Sequence, residues 1–187
     1  MRIYSEKKIL RILGKYRAYI RSLSKRYGVP ASVITAILYK EMTEIDLMDV
    51  LADLAVFSGL FSKKDSSTGY GQIFGAVALR AALEAKEEGL ITLDKLGFQS
   101  LRLGDEKDVR RVWKKLFLDP KANLEFTTLN LLSCAKEMTG RRDFSSFTPE
   151  ELKRTLTRYN ASVDYVTAYG EKAYALVQRF EQEDVKA

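Results

Sequence analysis

Asp119-Pro120-Lys121-Ala122-Asn123-Leu124-Glu125-Phe126-Thr127-Thr128-Leu129-Asn130-Leu131-Leu132-Ser133-Cys134-Ala135-Lys136-Glu137-Met138-Thr139-Gly140 decides the fold class. Asp119 is placed to cap a helix whose first residue is Pro120, where a missing N–H costs nothing. Leu124, Phe126, Leu129, Leu131, Leu132, Ala135 and Met138 surround that helix almost completely, and Gly140 ends it. A helix that is apolar on nearly every side belongs in the middle of a domain, so other helices must cover it. The rest of the chain supplies them. Residues 5–27 carry Ile9, Ile12, Leu13, Tyr16, Tyr19, Ile20, Leu23 and Tyr27 at helical spacing, with Gly28 and Pro30 as the stop. Residues 34–41 and 45–55 give two more helical runs, and 59–68 reads as a loop. Helix resumes over 73–88, with Val77, Leu79, Ala82 and Leu83 inward and Gly89 closing it. A single turn is expected at 92–96, then a short charged helix at 105–118 with Val109, Val112, Trp113 and Leu116 on one side. Thr148-Pro149-Glu150-Glu151 is a capping box that starts a helix bearing Leu152, Leu156 and Tyr159. Asn160-Ala161-Ser162 breaks it, and a last helix spans 164–180, with Gly170 as a point of interruption. No run reads as a strand. The expectation is an all-α domain with at most a small β element at 67–74.

The bulk numbers narrow the chemistry. At 187 residues the chain is expected to form one domain: an N-terminal helix to residue 28, a core over 29–180 and a frayed, charged tail at 181–187. Lys and Arg number 31 against 25 Asp and Glu, a net charge of +6 that suits an anionic partner without choosing among wall polymer, nucleic acid and membrane surface. There is no histidine, which removes Ser-His-Asp and Cys-His catalysis and most zinc and iron sites. Cys134 is the only cysteine, so no intramolecular disulfide can form. Neither a metal nor another cofactor is expected, and any chemistry falls to carboxylates, lysine, tyrosine or backbone. The first residues, Met1-Arg2-Ile3-Tyr4-Ser5-Glu6-Lys7-Lys8, lack the apolar core of a signal peptide. No run approaches the ~18 apolar residues of a membrane span. The chain is therefore expected to be cytoplasmic, part of a larger protein, or exported by a non-classical route.

One residue is out of place. In Ile34-Thr35-Ala36-Ile37-Leu38-Tyr39-Lys40-Glu41, the residues Ile34, Ile37 and Leu38 lie seven, four and three positions before Glu41 and share its face. A carboxylate on an apolar face is costly unless it is paired, protonated or used. Burial would raise its pKa and let it donate a proton near neutrality. Glycoside cleavage needs such an acid, because the leaving oxygen must be protonated as an oxocarbenium-like state forms. Alone, the position also fits a helix-end carboxylate paired with a basic side chain. Downstream lies Asp65-Ser66-Ser67-Thr68-Gly69-Tyr70-Gly71-Gln72-Ile73-Phe74, a glycine-rich polar loop ending in a short apolar piece. Asp46, Asp49 and Asp53, three and four apart on the intervening helix, read as a solvated acidic stripe, as counter-charge for the basic helices, or as a border of the active site.

Taken in order, Tyr27-Gly28-Val29-Pro30, Tyr39-Lys40-Glu41, Ser67-Thr68-Gly69-Tyr70-Gly71-Gln72, Asn123 at the start of the buried helix, and Tyr159-Asn160-Ala161-Ser162 resemble the lysozyme-like lytic transglycosylases over roughly residues 25–175. The chain departs from that pattern at Met42, where serine is usual, at the extra acidic helix before the loop, and at Ser162, where glycine is common. The resemblance implies a peptidoglycan-cleaving glycosidase with a helical, cleft-bearing fold. It implies Glu41 as general acid and base on the β-1,4 bond between N-acetylmuramic acid and N-acetylglucosamine. Ser67, Gly69, Tyr70 and Gln72 would line the cleft. Tyr159 would reach the glutamate or the acetamido group, and Asn160 would hold its segment's backbone. A second acid would separate a muramidase from a lytic transglycosylase; Asp65 is the first candidate, with Glu44 and Asp46 after it, although Asp65 also suits a plain turn residue. The implied partners are peptidoglycan glycan strands at the cell wall, together with an inhibitor protein of the kind that restrains such enzymes. Two readings compete: a basic helical module without activity, and a scaffold that binds glycan without cutting it. Nucleic acid is disfavoured as a ligand, since no helix-turn-helix signature accompanies the basic first helix or Arg141-Arg142.

Overall fold

The computed structural model describes residues 2–58 and 65–185, and part of the 59–68 loop therefore lies outside the described residues. Within them run α1 (Glu6–Tyr27), α2 (Ala31–Glu44), α3 (Leu47–Ser58), β1 (Ser67–Thr68), β2 (Ile73–Phe74), α4 (Gly75–Glu87), α5 (Glu106–Leu118), α6 (Pro120–Thr139), α7 (Pro149–Asn160) and α8 (Ala168–Val185). The fold is all-α with a two-stranded antiparallel ribbon, in which Ser67 pairs with Phe74 and Thr68 with Ile73. A 3-10 turn at Leu93–Leu96 fills the expected single-turn position.

The central helix is α6. Residues 122–135 are buried without a break, because α4, α5, α7 and α1 all pack around it. Asp119 caps it through the Lys121 and Ala122 amides, and Gly140 ends it in the left-handed conformation. Such burial forces each polar residue of α6 to find a partner. Glu125 accepts from the hydroxyls of Tyr27 (2.6 Å) and Tyr19 (3.1 Å) and from the Arg26 guanidinium (2.8 Å). Burial, and then the bond to Glu125, push the Tyr27 phenol up to about 12. This cluster pins α1 to α6, and Arg26 joins it while its side chain stays half exposed.

Helix α2 lies between α1 and α8. Ile34, Ile37, Leu38 and Glu41 are all buried, on the face the spacing marks, and Val33, Ala36 and Met42 beside that face are buried too. The capping box at Thr148 is formed in full, with the Thr148 hydroxyl accepting from the Glu151 amide and Glu151 accepting from the Thr148 amide. Val77 and Leu83 are only half-buried, while Leu79 and Ala82 are fully inside.

Four expectations need correction. The last helix begins at Ala168 rather than 164, because the Thr167 amide donates to Thr157 Oγ1 (3.1 Å) and ties the preceding residues to α7. Gly170 does not interrupt it. A Cβ there would lie 2.1 Å from Thr157 Oγ1, so this glycine lets α8 close onto α7. The helix also continues through residues expected to fray, to Val185. Finally, the Asp46, Asp49 and Asp53 stripe is not a solvated face. Asp46 Oδ1 accepts from the amides of Met48 (2.8 Å) and Asp49 (3.2 Å), and Asp49 Oδ2 accepts from the Asp46 amide (2.9 Å), a reciprocal cap on α3. Asp53 is buried and accepts from Ser66 Oγ and Thr68 Oγ1, each at 2.8 Å. Solvent-like residues on a helix therefore turn out to tie it to the ribbon.

Candidate active site

A cleft of about 450 Å³ opens beside the end of α2, lined by Glu41, Glu44, Asp49, Ser67, Gln72, Arg80, Asn130, Arg158, Tyr159 and Asn160 among others. Glu41 stands in its wall and is only 7% exposed. The Tyr169 hydroxyl, from the first turn of α8, donates to Glu41 Oε1. Lys40 Nζ lies 4.5 Å from the Tyr169 ring centroid and pairs with Glu44. Burial pushes the Glu41 carboxyl up to about 7, against the Tyr169 hydrogen bond, which favours the charged form, and with Glu44 adding to the rise. Tyr169 is held well above its usual range by burial and by the neighbouring Glu41 charge, so it stays a hydroxyl donor.

That shift has a consequence for stability. The folded pKa lies above the ordinary value of 4.5, so the folded chain holds a proton that the unfolded chain releases between the two values. Glu41's contribution is full below pH 4.5 and is lost as pH rises through about 7. Glu41→Gln has no such proton to lose. In urea unfolding it should gain on wild type by up to about 3 kcal/mol between pH 5 and about pH 8. A pH-independent difference would contradict a buried, protonated Glu41.

The glycine loop is held from α6 and α7. Asn123 is fully buried and spans the loop, with Nδ2 donating to the Thr68 carbonyl (2.9 Å) and Oδ1 accepting from the Gly71 amide (2.8 Å). Gly69 has a positive φ of 71°, and a Cβ there would sit 2.1 Å from Asn123 Nδ2. Gly71 is confined in the same way, 1.9 Å from Thr127 Oγ1. Gln72, at φ 43°, turns its side chain back so that Nε2 meets the Gly69 carbonyl (2.9 Å) and Oε1 accepts from Ser67 (3.2 Å). The loop is thus a rigid rim that presents Ser67 and Gln72 to the cleft.

The residues picked out in sequence separate into groups. Glu41, Ser67, Gln72, Tyr159 and Asn160 share one cleft. Gly69 and Tyr70 face a neighbouring cavity of about 280 Å³ under α3, which meets the cleft at Asp49 and Gln72. Tyr159 does not donate to the glutamate. Its hydroxyl donates to the Gly71 carbonyl (2.7 Å), and Tyr169 takes the place by Glu41. Asp65 is not among the residues lining the cleft. Its two oxygens accept from the amides of Gly75 (2.7 Å) and Ala76 (3.0 Å), capping α4. Burial pushes its carboxyl up and these amides pull it down.

Comparisons of this chain with protein-family models, with curated proteins and with solved structures find no match.

Tyr169, Arg80 and Asn130 are cleft residues that the sequence pattern does not single out. Tyr169 had a signal of a kind: a tyrosine on an apolar stripe carries a hydroxyl that must find a partner when buried. Nothing in the sequence could say that the partner is 128 residues away. Cys134 also touches the cleft, but burial pushes its thiol up to about 12, which leaves it inert as a nucleophile. Among the described residues no group of acids and thiols is arranged to hold a metal ion.

Proposed function

We propose that this protein is a lytic transglycosylase acting on peptidoglycan, with Glu41 as the single acid and base. One observation carries the reading: a buried carboxyl that titrates near neutrality, fixed by Tyr169, stands in the wall of an open polar cleft. In the bound state the protonated Glu41 gives its proton to the glycosidic oxygen between the muramoyl and glucosaminyl units. The C1–O bond breaks with its electron pair leaving on the protonated oxygen, and C1 of the muramoyl ring takes on oxocarbenium character. Glu41, now charged, removes the proton of the ring's own 6-hydroxyl, and O6 closes on C1 to give a 1,6-anhydro end. The proton is back on Glu41, and no water has been consumed.

The carboxylates nearby favour this route over hydrolysis. Asp65 is engaged as the cap of α4. On the cleft lining, Glu44 is paired with Lys40 and Asp49 caps α3. Each has a structural partner, so an acid that works alone suits the site better than one that needs a second. Ser67, Gln72 and Asn160 offer groups for sugar hydroxyls and acetamido oxygens. Arg80 and Arg158 are on the same lining, where they already pair with Glu84 (3.8 Å) and Glu137 (2.7 Å).

The pH dependence of fragment release from purified sacculi tests this reading. Activity needs protonated Glu41 and should fall as pH rises above about 7. Tyr169→Phe removes the hydrogen bond that favours the charged form, so the alkaline limb should move to higher pH. A limb that stays where it was in Tyr169→Phe would separate it from Glu41 and count against the assignment.

A further inference from the structure

Lys40 is the only Lys or Arg among the described residues that is buried, at 6% exposed. A lysine near the end of a helix can run its long stem out to water, and an ammonium kept inside is costly without partners. Lys40 has two. One is Glu44, a turn further along α2, whose own side chain is half exposed. The other is the ring of Tyr169, with Nζ 4.5 Å from the ring centroid. A cation over an aromatic face is attracted by the ring's electron density, and more strongly where water is excluded.

Tyr169 is thereby gripped by two successive residues of α2. Lys40 lies on its ring, and Glu41 accepts from its hydroxyl. Its backbone is fixed from the other side. The next residue, Gly170, is packed so closely on α7 that a Cβ would come within 2.1 Å of Thr157 Oγ1 and 2.6 Å of the Lys153 carbonyl. The charged and titratable groups around Glu41 are Lys40 and Glu44 on α2, Asp49 on α3, Tyr159 on α7 and Tyr169 on α8. Burial, Glu44 and Asp49 oppose the charged carboxylate, whereas Tyr169 and Lys40 favour it. The other cations on the cleft lining, Arg80 and Arg158, are drawn off by Glu84 and Glu137. A cation on the ring face also pulls electron density from the phenol, which makes its hydroxyl a stronger donor.

We propose that Lys40 is a positioning residue for Glu41: it holds and polarises the ring of Tyr169, and so fixes the hydroxyl from which Glu41 accepts. This role rests on the proposed use of Glu41 as acid and base. The linkage from Lys40 through Tyr169 to Glu41 can nevertheless be read without any turnover.

The test is the titration of the Glu41 carboxyl by carbon-13 NMR in wild type, Lys40→Met, Tyr169→Phe and the double variant. The signal is assigned by its absence in Glu41→Gln. Methionine keeps the length of the lysine stem and removes its charge. Lys40→Met is expected to lower the acid dissociation constant of Glu41 by about threefold or more in the wild-type background, and by less than about 1.5-fold in the Tyr169→Phe background. Lys40→Arg keeps a cation for the ring and should stay within about twofold of wild type. Lys40→Gln carries the same readout if Lys40→Met loses its far-UV circular dichroism. An equal shift in both backgrounds would overturn the proposal, because Lys40 would then act on Glu41 by its field alone. The absence of any shift would overturn it as well. Glycan release plays no part in this readout. The expected shifts in a protein that releases no glycan would therefore count against the proposed reaction and leave the linkage standing.

Discussion

Glu41→Gln is expected to lower glycan release from sacculi by ~10³-fold or more while leaving the protein folded. General acid–base catalysis alone contributes about 10²–10⁴-fold, and here one group is asked to serve both proton transfers. Glutamine keeps the shape of the side chain and an oxygen to accept from Tyr169, but it has no proton to give. Its fold should be at least as stable as wild type above pH 7, because wild type must ionise a buried acid there. Loss of activity in a protein that melts no lower than wild type would isolate the chemistry from the packing. A rate within threefold of wild type would remove Glu41 from the mechanism.

The second large effect is structural. Gly71→Ala should destabilise the protein by roughly 3 kcal/mol or more, read as a fall in the urea midpoint. The added Cβ would meet Thr127 Oγ1 at 1.9 Å and the Tyr159 hydroxyl at 3.1 Å, and neither can retreat easily. Thr127 is fully buried on α6, and Tyr159 is bonded to the Gly71 carbonyl. Thr127→Ala in the same chain removes the nearest atom and should recover part of the loss, a coupling that a double-mutant cycle measures. Additive effects would mean that the loop is not clamped between α6 and α7 as described.

Local signals made much of the fold legible. Asp119, Pro120 and Gly140 bound α6 because caps act within a few residues of the backbone they satisfy. The apolar spacing before Glu41 placed that acid on a buried face for the same reason. What escaped depends on contacts between distant segments. Asp53 sits in a stripe that looks solvated, and only the arrival of Ser66 and Thr68 makes it a buried anchor. Asp65 looks like a free acid at a loop until the first amides of α4 claim it. Tyr159 and Tyr169 are both tyrosines on helical stripes, and nothing short of the packing of α7 against α8 decides which of them meets Glu41. The start of α8 falls at Ala168 because Thr157, ten residues before Thr167, holds Thr167 out of the helix.

The measurement that bears most directly on the account is mass spectrometry of the muropeptides released from purified peptidoglycan by the wild-type protein. Glycan fragments ending in 1,6-anhydro-muramic acid are expected, with no water added across the cleaved bond and none released by Glu41→Gln. Fragments ending in reducing muramic acid would contradict it by showing that water, activated by a second group, attacks the bond. No release at all would leave a helical protein with a buried acid in its cleft and no glycosidic chemistry to explain it.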